Sequence, residues 1–181
     1  PRCHRDYTTS AVLVEDFASS PCVEDIDAIE RLTDEDRDAL AYLIASNYMQ
    51  QFMEDGFYHA DPHAGNILVT DDNGIEWIDF GMMGTLTSSQ RDTLMELVMA
   101  MVKGDAYGLK RCLLKVAKPT GPVDHAALLE SSEGLIDQFI SVDLESFDTA
   151  ALMNTLMGSM RESGFDLEPF LVNLGRGLVT L

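Results

Sequence analysis

The sequence predicts an α+β domain that is mainly helical and carries one small β-hairpin. Along much of the chain, apolar residues recur at spacings of three and four, the pattern of helices with one buried face. Two short apolar runs, residues 67–69 and 75–78, flank Asp71-Asp72-Asn73-Gly74, which is a typical hairpin turn. The 181 residues, 46% of them hydrophobic, suit one compact domain with its own core, or a large piece of one.

The first third of the chain predicts one strand and one long helix. Residues 11–17 (AVLVEDF) form an apolar run that enters an acidic segment, which indicates a buried strand ending near Glu15. Residues 19–32 are a polar connection with a helical turn. Thr33 and the Asp three residues later form a capping box, so a helix begins at Thr33, and Gly56 ends it. The predicted core stripe of this helix is Leu40, Leu43, Ile44, Tyr48 and Phe52.

The chain that follows the hairpin is predicted to be helical. Ser88 or Ser89 caps a first helix, and Asp105 opens a second that runs to about Ala117. Residues 118–122 (KPTGP) interrupt the helical pattern. Further helices are predicted near 123–140, 147–163 and 167–180. In the helix that Ser88 or Ser89 caps, the predicted buried stripe is Leu94, Leu97, Val98, Met101 and Val102.

Charge and cysteine content exclude several classes of function. The chain has 12 Lys and Arg against 31 Asp and Glu, which gives a net charge of −19. Nucleic acids and anionic membranes are bound by clustered Lys and Arg, so neither is a predicted partner. Three separated cysteines without a CxxC pair predict neither a disulfide framework nor a structural zinc site, and they favour a reducing, cytoplasmic compartment. No apolar run approaches about 18 residues, so no transmembrane segment is predicted.

The segment FYHADPHAGN (57–66) and the later WIDFG bring Asp61, Asn66 and Asp79 into one short stretch of sequence. Phosphoryl transfer needs a carboxylate that orients the attacking hydroxyl or water, and it needs oxygen ligands for Mg²⁺ on the nucleotide phosphates. Asp61 and Asn66 lie at the two ends of one loop, and the predicted hairpin returns Asp79 beside them. The three residues therefore predict a magnesium-dependent phosphoryl-transfer site.

Two motifs in this order resemble the active-site sequences of protein kinases. HADPHAGN (59–66) is similar to the catalytic loop H-x-D-x-x-x-x-N, and DFG (79–81) begins 13 residues after Asn66. The motif Asp-Pro-His-x-Gly-Asn, with Gly-Met-Met-Gly after Phe80, resembles the corresponding sequences of the UbiB/AarF (ADCK) family of atypical kinases. This family is associated with coenzyme Q (ubiquinone) biosynthesis. No APE motif follows, so a conventional platform for peptide substrates is not expected.

The resemblance implies a protein-kinase-like C-lobe with its hinge, and with most of the N-lobe absent. Residues 1–17 would be the last N-lobe strand and the hinge, and residues 18–181 the helical C-lobe. The phosphate-covering loop, the strand Lys with its Glu partner and the KxGQ signature of the family would lie upstream. The chain alone is therefore expected to transfer no phosphate, whereas the full-length protein would use ATP, with a lipid or quinone precursor as a further partner at a membrane.

The same resemblance assigns roles to individual residues. Asp61 would be the catalytic carboxylate, and Asn66 and Asp79 would bind Mg²⁺. The main chain of the hinge would hold the adenine of ATP, at Glu15, Asp16 and Phe17. The residues that would support the loop are His59, His63, Gly65, Phe80 and Gly81, with His59 bracing the loop against Phe80 and the two glycines letting the backbone turn.

Three other interpretations of the motif remain open from sequence. His59, Asp61 and His63 alternate and could bind zinc from one face of a strand, although Pro62 and Gly65 favour a loop. Small-molecule phosphotransferases of the aminoglycoside and choline kinase type have a similar H-G-D-x-H-x-x-N loop and a later D-W or D-F. The chain could also be a binding module without catalysis, because groups upstream would supply much of the electrostatic stabilisation of the phosphates.

Overall fold

The computed structural model describes residues 1–141 and 149–180, and in these residues helices predominate over strands. The helices are α1 (Ile26–Glu30), α2 (Asp34–Gln50), α3 (Ser88–Lys103), α4 (Ala106–Lys115), α5 (His125–Ser141), α6 (Thr149–Glu162) and α7 (Pro169–Thr180). α2 continues into a π-helical turn, Gln51–Asp55, and a 3₁₀ turn covers Ala64–Asn66. The predicted class, α+β and mainly α, is confirmed.

The described residues contain three two-stranded antiparallel sheets, one of which is the predicted hairpin. The strands are β1 (Phe57–His59), β2 (Ile67–Val69), β3 (Ile75–Trp77), β4 (Met83–Thr85), β5 (Ala117–Pro119) and β6 (Phe165–Leu167). β2 pairs with β3 across the turn, with Ile67 opposite Trp77. β1 pairs with β4, and β5 with β6. These two pairs could not be predicted from sequence, because their strands are separated by long stretches of chain.

The long helix begins and ends where the sequence predicts. The Thr33 side chain accepts a hydrogen bond from the Asp36 backbone N–H, and its hydroxyl donates to the Asp36 carboxylate at 2.7 Å. The carboxylate is thus engaged by the hydroxyl of Thr33, in place of the reciprocal bond to the Thr33 N–H that a full capping box makes. Gly56 ends the π turn with a left-handed backbone, φ 65°. Of the predicted stripe, Leu40, Ile44, Tyr48 and Phe52 are buried and Leu43 is half-buried.

Two details of α3 were predicted wrongly. Its N-cap is Thr87, one residue before Ser88, and Thr87 forms a full capping box with Gln90. Val102 is 64% exposed and does not belong to the buried stripe. The next helix, α4, has the predicted N-cap, Asp105. α5 and α7 lie close to their predicted ranges, and the predicted start of α6 near residue 147 lies outside the described residues.

α2 contributes buried side chains to two separate hydrophobic clusters. Near its start, Leu40 and Ile44 pack with Ile67 and Val69 of the hairpin. One to two turns later, α2 and the π turn pack against β1 and α7 through a second cluster. Its buried members include Tyr48, Phe52, Tyr58, Phe170, Leu171 and Leu174. A third cluster joins α3, α4, α5 and α6. The segment between β1 and β3 is therefore attached to α2 on both sides.

The N-terminal segment, residues 1–17, does not contain the predicted buried strand. Val12 is 55%, Leu13 64% and Phe17 91% exposed. Pairing in residues 11–17 consists of one isolated bridge, between Glu15 and Cys3. An apolar run becomes a buried strand only where another element covers it, and the described residues offer this run no such cover. Among those residues there is also no helix of the length and apolar character needed to cross a membrane.

Candidate active site

The motif loop, residues 59–66, runs between strands of two different sheets. β1 enters it with Tyr58 opposite Gly84 of β4, and the N–H of Ala60 extends the pairing by donating to Met82 O at 2.9 Å. The Tyr58 ring occupies the space that a Cβ at position 84 would need, so this pairing requires glycine there. The 3₁₀ turn Ala64–Asn66 then leads directly into β2. Both ends of the motif loop are thereby fixed by strand pairing.

His59 is 1% exposed, and both of its ring nitrogens make hydrogen bonds. Nε2 lies 3.0 Å from the carbonyl oxygen of Ile78, and Nδ1 lies 3.3 Å from the backbone N of Asp61. A carbonyl only accepts and a backbone N–H only donates, so the geometry assigns the neutral tautomer with its proton on Nε2. The His59 ring also packs against Phe80, with 5.8 Å between ring centroids.

These bonds bear on the zinc interpretation of the motif. A metal ligand needs a free nitrogen lone pair, and that of His59 Nδ1 already accepts the Asp61 N–H. In residues 1–141 and 149–180, no group of three or more His, Cys, Asp and Glu side chains is arranged to hold a metal. The geometry of His59 therefore argues against a His59–Asp61–His63 zinc site.

Asn66 is buried and closes the motif loop. Its Nδ2 donates to Asp61 O at 3.1 Å, and its backbone N donates to His63 O at 2.8 Å. Among the described residues, no hydrogen-bond donor contacts Oδ1 of Asn66. Asp61 itself is half-buried at the surface of the loop.

Asp79 follows the hairpin and has an exposed side chain. Its backbone is left-handed, φ 55°, a conformation that is uncommon outside glycine although Asp and Asn tolerate it. Its Oδ1 accepts the N–H of Gly81 at 3.3 Å. Neither Gly65 nor Gly81 has the left-handed backbone that glycine adopts readily. At Gly65 the constraint is space instead, because a Cβ there would lie 3.0 Å from the His63 ring.

The residue before Asp79 joins the hairpin to both ends of the motif loop. Ile78 N donates to Asn66 O at 3.0 Å, and Ile78 O accepts from His59 Nε2 at 3.0 Å. Asp79 directly follows Ile78, and Ile78 is hydrogen-bonded to His59, before Asp61 in the chain, and to Asn66, after it. This arrangement brings the three predicted functional residues into one region of the molecule.

The predicted hinge residues form a separate, exposed part of the structure. The backbone N of Asp16 donates to Arg2 O at 3.0 Å, and its carboxylate lies 2.6 Å from His4 Nε2. Glu15, Asp16 and Phe17 are all exposed. A few residues later the chain runs along β2, where Val23 N donates to Ile67 O at 2.9 Å. The segment that follows the predicted hinge is thus attached to the hairpin that leads to Asp79.

Sequence reasoning missed two polar residues of α2 and the π turn, Asn47 and Gln51. The side-chain oxygen of Gln51 accepts the His59 N–H at 2.9 Å, and Asn47 Oδ1 accepts the Trp77 indole N–H at 2.8 Å. The available signal was their spacing. They lie one turn apart beside the buried Tyr48, on a helix face that packs against the loop.

Comparison with known proteins identifies the family. Residues 1–113, which contain both motifs, match the ABC1 atypical kinase-like domain. The chain is 30% identical over 151 residues to an uncharacterized protein from the hydrogenase 1 5′ region of Clostridium pasteurianum, an alignment that covers 82% of this chain and 28% of that protein. It is 34% identical over 125 residues to the chloroplastic protein ACTIVITY OF BC1 COMPLEX KINASE 8 of Arabidopsis thaliana, covering 67% of this chain and 16% of that protein. An uncharacterized chloroplastic aarF domain-containing protein kinase of the same plant is 26% identical over 184 residues, covering 100% of this chain and 25% of the relative.

The chain belongs to the ABC1 atypical kinase-like family, as the motif resemblance predicted. It spans between 16% and 28% of the length of these three relatives. The family match supports a kinase-like class.

Proposed function

We propose that this chain supplies the Mg²⁺-nucleotide site of an atypical kinase or ATPase. In this proposal residues 18–181 form a kinase-like C-lobe and residues 1–17 its hinge. Asp61 orients the group that attacks the terminal phosphate of ATP, and Asn66 and Asp79 are the protein ligands of Mg²⁺. Family membership supports the kinase-like class, and the geometry of the motif loop supports the assignment of these three residues.

The observation that carries the proposal is the double attachment of Ile78. Because Ile78 is bonded to Asn66 O and to His59 Nε2, the backbone that carries Asp79 follows the motif loop closely. Displacement of either segment would break one of these bonds. Preorganised ligands of this kind are what phosphoryl transfer requires, since its catalysis is mostly positioning and electrostatic stabilisation.

The side chains of the proposed site fit Mg²⁺ better than they fit a metal held by protein alone. Asn66 Oδ1 has no donor among the described residues, and the Asp79 carboxylate is exposed. Mg²⁺ is typically held by one or two carboxylates together with substrate phosphates and water. When bound, the ion would neutralise charge on the phosphates, while Asn66 and Asp79 fix its position relative to Asp61.

The remaining parts of the proposal concern the hinge and the whole protein. Main-chain groups of Glu15, Asp16 and Phe17 are proposed to contact adenine. His63 and Gly65 are proposed to support the loop, with the His63 ring filling the space beside Gly65. Phe80 and Gly81, which follow Asp79, are proposed to support it as well. For the full-length protein we propose phosphoryl transfer or ATP hydrolysis linked to a lipid or quinone precursor, in a cytoplasmic protein associated with a membrane.

Thermal unfolding with Mg²⁺ alone, with Mg-ADP and with Mg-ATP tests the site. A nucleotide at about 100 times its Kd stabilises the folded state by ~2.7 kcal/mol, which raises Tm by several degrees in a chain of this size. The shift is expected to need Mg²⁺ and to disappear in Asp79→Asn. Asp71→Asn is the matched control, because Asp71 is an exposed carboxylate in the turn of the same hairpin.

Loss of the shift in Asp79→Asn but not in Asp71→Asn would support Asp79 as a ligand. Equal shifts in the two variants would reject that role. An equal shift with and without Mg²⁺ would reject the magnesium site while leaving nucleotide binding in place.

A further inference from the structure

Three polar side chains, named here the α2 tether, connect α2 and the π turn to both segments of the proposed site: Asn47, Tyr48 and Gln51. Gln51 Oε1 accepts the backbone N–H of His59 at 2.9 Å, and the Tyr48 hydroxyl donates to the backbone oxygen of His59 at 2.9 Å. With its ring nitrogens bonded to Ile78 and Asp61, all four polar atoms of His59 are engaged. The α2 tether therefore fixes the main chain of the residue that lies two positions before Asp61.

The same tether reaches the hairpin through one oxygen atom. Asn47 Oδ1 accepts the indole N–H of Trp77 at 2.8 Å and the side-chain N–H of Gln51 at 3.2 Å. Trp77 lies two positions before Asp79, as His59 lies two positions before Asp61. Asn47 is thus one hydrogen bond from the segment that carries Asp79, and two from the segment that carries Asp61.

Ring stacking reinforces this connection. The His59 and Trp77 rings stack with centroids 5.5 Å apart and an interplanar angle of 29°. Tyr48 stacks on Trp77 at 5.9 Å and 30°. A shift of one segment relative to the other would break hydrogen bonds at Asn47 and the stacking of His59 on Trp77 together.

The helix changes from α to π geometry at Gln51, the residue that contacts His59. Gln51 is the first residue of the π turn Gln51–Asp55. Turns of this type are rare and are frequently found at functional sites. Packing alone does not account for the polar contacts, because α2 is already anchored by buried apolar residues such as Leu40 and Ile44.

From these contacts we infer that Asn47 is a positioning residue that sets the spacing between Asp61 and Asp79. This inference rests on the proposed function, in which the carboxylates of Asp61 and Asp79 act on one Mg²⁺-nucleotide complex. Asn47 touches neither ligand; it acts through Trp77 and, by way of Gln51, through His59. Groups that hydrogen-bond directly to metal ligands typically change metal affinity by ~10-fold to 100-fold when they are removed, and Asn47 acts one step further out.

The experiment compares two substitutions of similar size in the 181-residue chain. Asn47→Leu removes the accepting oxygen, whereas Asn47→Asp retains it. Mg-ADP affinity, measured by calorimetry, is expected to fall severalfold, by ~10-fold at most, in Asn47→Leu and to stay close to the parent value in Asn47→Asp. Thr87→Ala controls for lost stability, since it removes the α3 cap and none of the contacts of the site.

A second pair of variants tests whether Asn47 and Gln51 act along one path. Gln51→Met removes the other half of the connection. If Asn47 and Gln51 act along one path, the double variant Asn47→Leu/Gln51→Met binds Mg-ADP no more weakly than the weaker-binding single variant. Additive losses would overturn the inference that they act together.

A spectroscopic readout tests the inference without nucleotide. Trp77 is the only tryptophan of the chain, so its indole N–H gives a single NMR signal that reports the bond to Asn47. The amide signals of Asp61 and Asp79 are expected to move in Asn47→Leu and to return towards the parent positions in Asn47→Asp. If either amide stays at its parent position in Asn47→Leu, the positioning role is rejected.

The two readouts distinguish failure of the inference from failure of the proposed function. If the parent chain binds Mg-ADP and Asn47→Leu binds it equally well, the positioning role fails and the proposed function stands. If the parent chain shows no Mg²⁺-dependent binding of ADP, the proposed nucleotide site fails in this chain. The amide signals then decide whether Asn47 sets the positions of Asp61 and Asp79.

Discussion

The motif loop and the N-terminal segment are both proposed to contact the same nucleotide, yet they are built differently. His59 in the motif loop is 1% exposed, whereas Phe17 in the N-terminal segment is 91% exposed. The motif loop is bonded to α2, to β4 and to the hairpin. In the described residues, the backbone hydrogen bonds of residues 11–17 run to residues 2–9, within the segment itself.

This contrast indicates which part of the proposed site is preorganised. The shape of the motif loop follows from the packing of distant elements, so it is coupled to the global fold. Apart from an ion pair between Pro1 and Glu76, the N-terminal segment is held by local contacts, and segments with few buried contacts open at a small free-energy cost. Substitutions of the same residue type in the two regions test this contrast, and three such pairs are available.

The largest difference is expected for phenylalanine. Phe52 packs between the rings of Tyr48 and Tyr58, with centroids at 4.7 Å and 4.6 Å. Phe52→Ala leaves a cavity in this cluster and should lower the free energy of unfolding by ~3–5 kcal/mol. Phe17→Ala removes an exposed ring and should change it by less than about 0.5 kcal/mol. Urea denaturation of the two variants measures both values, and similar losses would show that the N-terminal segment is buried in solution.

Histidine gives the second comparison. His59→Ala leaves Ile78 O and the Asp61 N–H without their partner in a partly buried region, at a cost of roughly 2–4 kcal/mol for the two groups. His4 makes an exposed contact to Asp16, and His4→Ala should cost less than about 1 kcal/mol. The same denaturation experiment checks this, and a His4 loss as large as that of His59 would contradict the contrast between the regions.

From the sequence one can name the candidate residues of the proposed site, but not the contacts that hold them in place. Asp61, Asn66 and Asp79 can be proposed from residue type and spacing, because one short hairpin is enough to bring them together. The left-handed backbone of Asp79 has no such signal. The pairing of Tyr58 with Gly84 also depends on residues far apart in the chain.

The sequence predictions for residues 11–17 and for the start of α3 were wrong for two physical reasons. Residues 11–17 are apolar, but composition predicts burial only if another element covers the strand, and none in the described residues does. At the start of α3, three consecutive residues from Thr87 onward can all cap a helix. The sequence did contain the deciding signal, since Gln90 lies three residues after Thr87 and completes a capping box with it.

Tyrosine gives the smallest of the three differences and the one that depends on pH. Tyr48→Phe removes the hydrogen bond to the buried carbonyl of His59 and should cost ~1–2 kcal/mol near neutral pH. Tyr7, 72% exposed in the N-terminal segment, is the matched control. Tyr7→Phe should leave the free energy of unfolding unchanged at the same pH.

The sign of the pH effect follows from the environment of Tyr48. Burial, with smaller contributions from Tyr58 and the charge of Asp61, raises the pKa of Tyr48 above the value of about 10 that a tyrosine has in an unfolded chain. The folded state keeps the proton, so stability is full below about pH 10 and falls above it by ~1.4 kcal/mol per pH unit. Burial also raises the pKa of Tyr58, so part of the slope persists in Tyr48→Phe. The parent should therefore lose its advantage over Tyr48→Phe as pH rises from about 8 to 11, and a constant difference over that range would show that Tyr48 is not sealed from water by α2 and the motif loop.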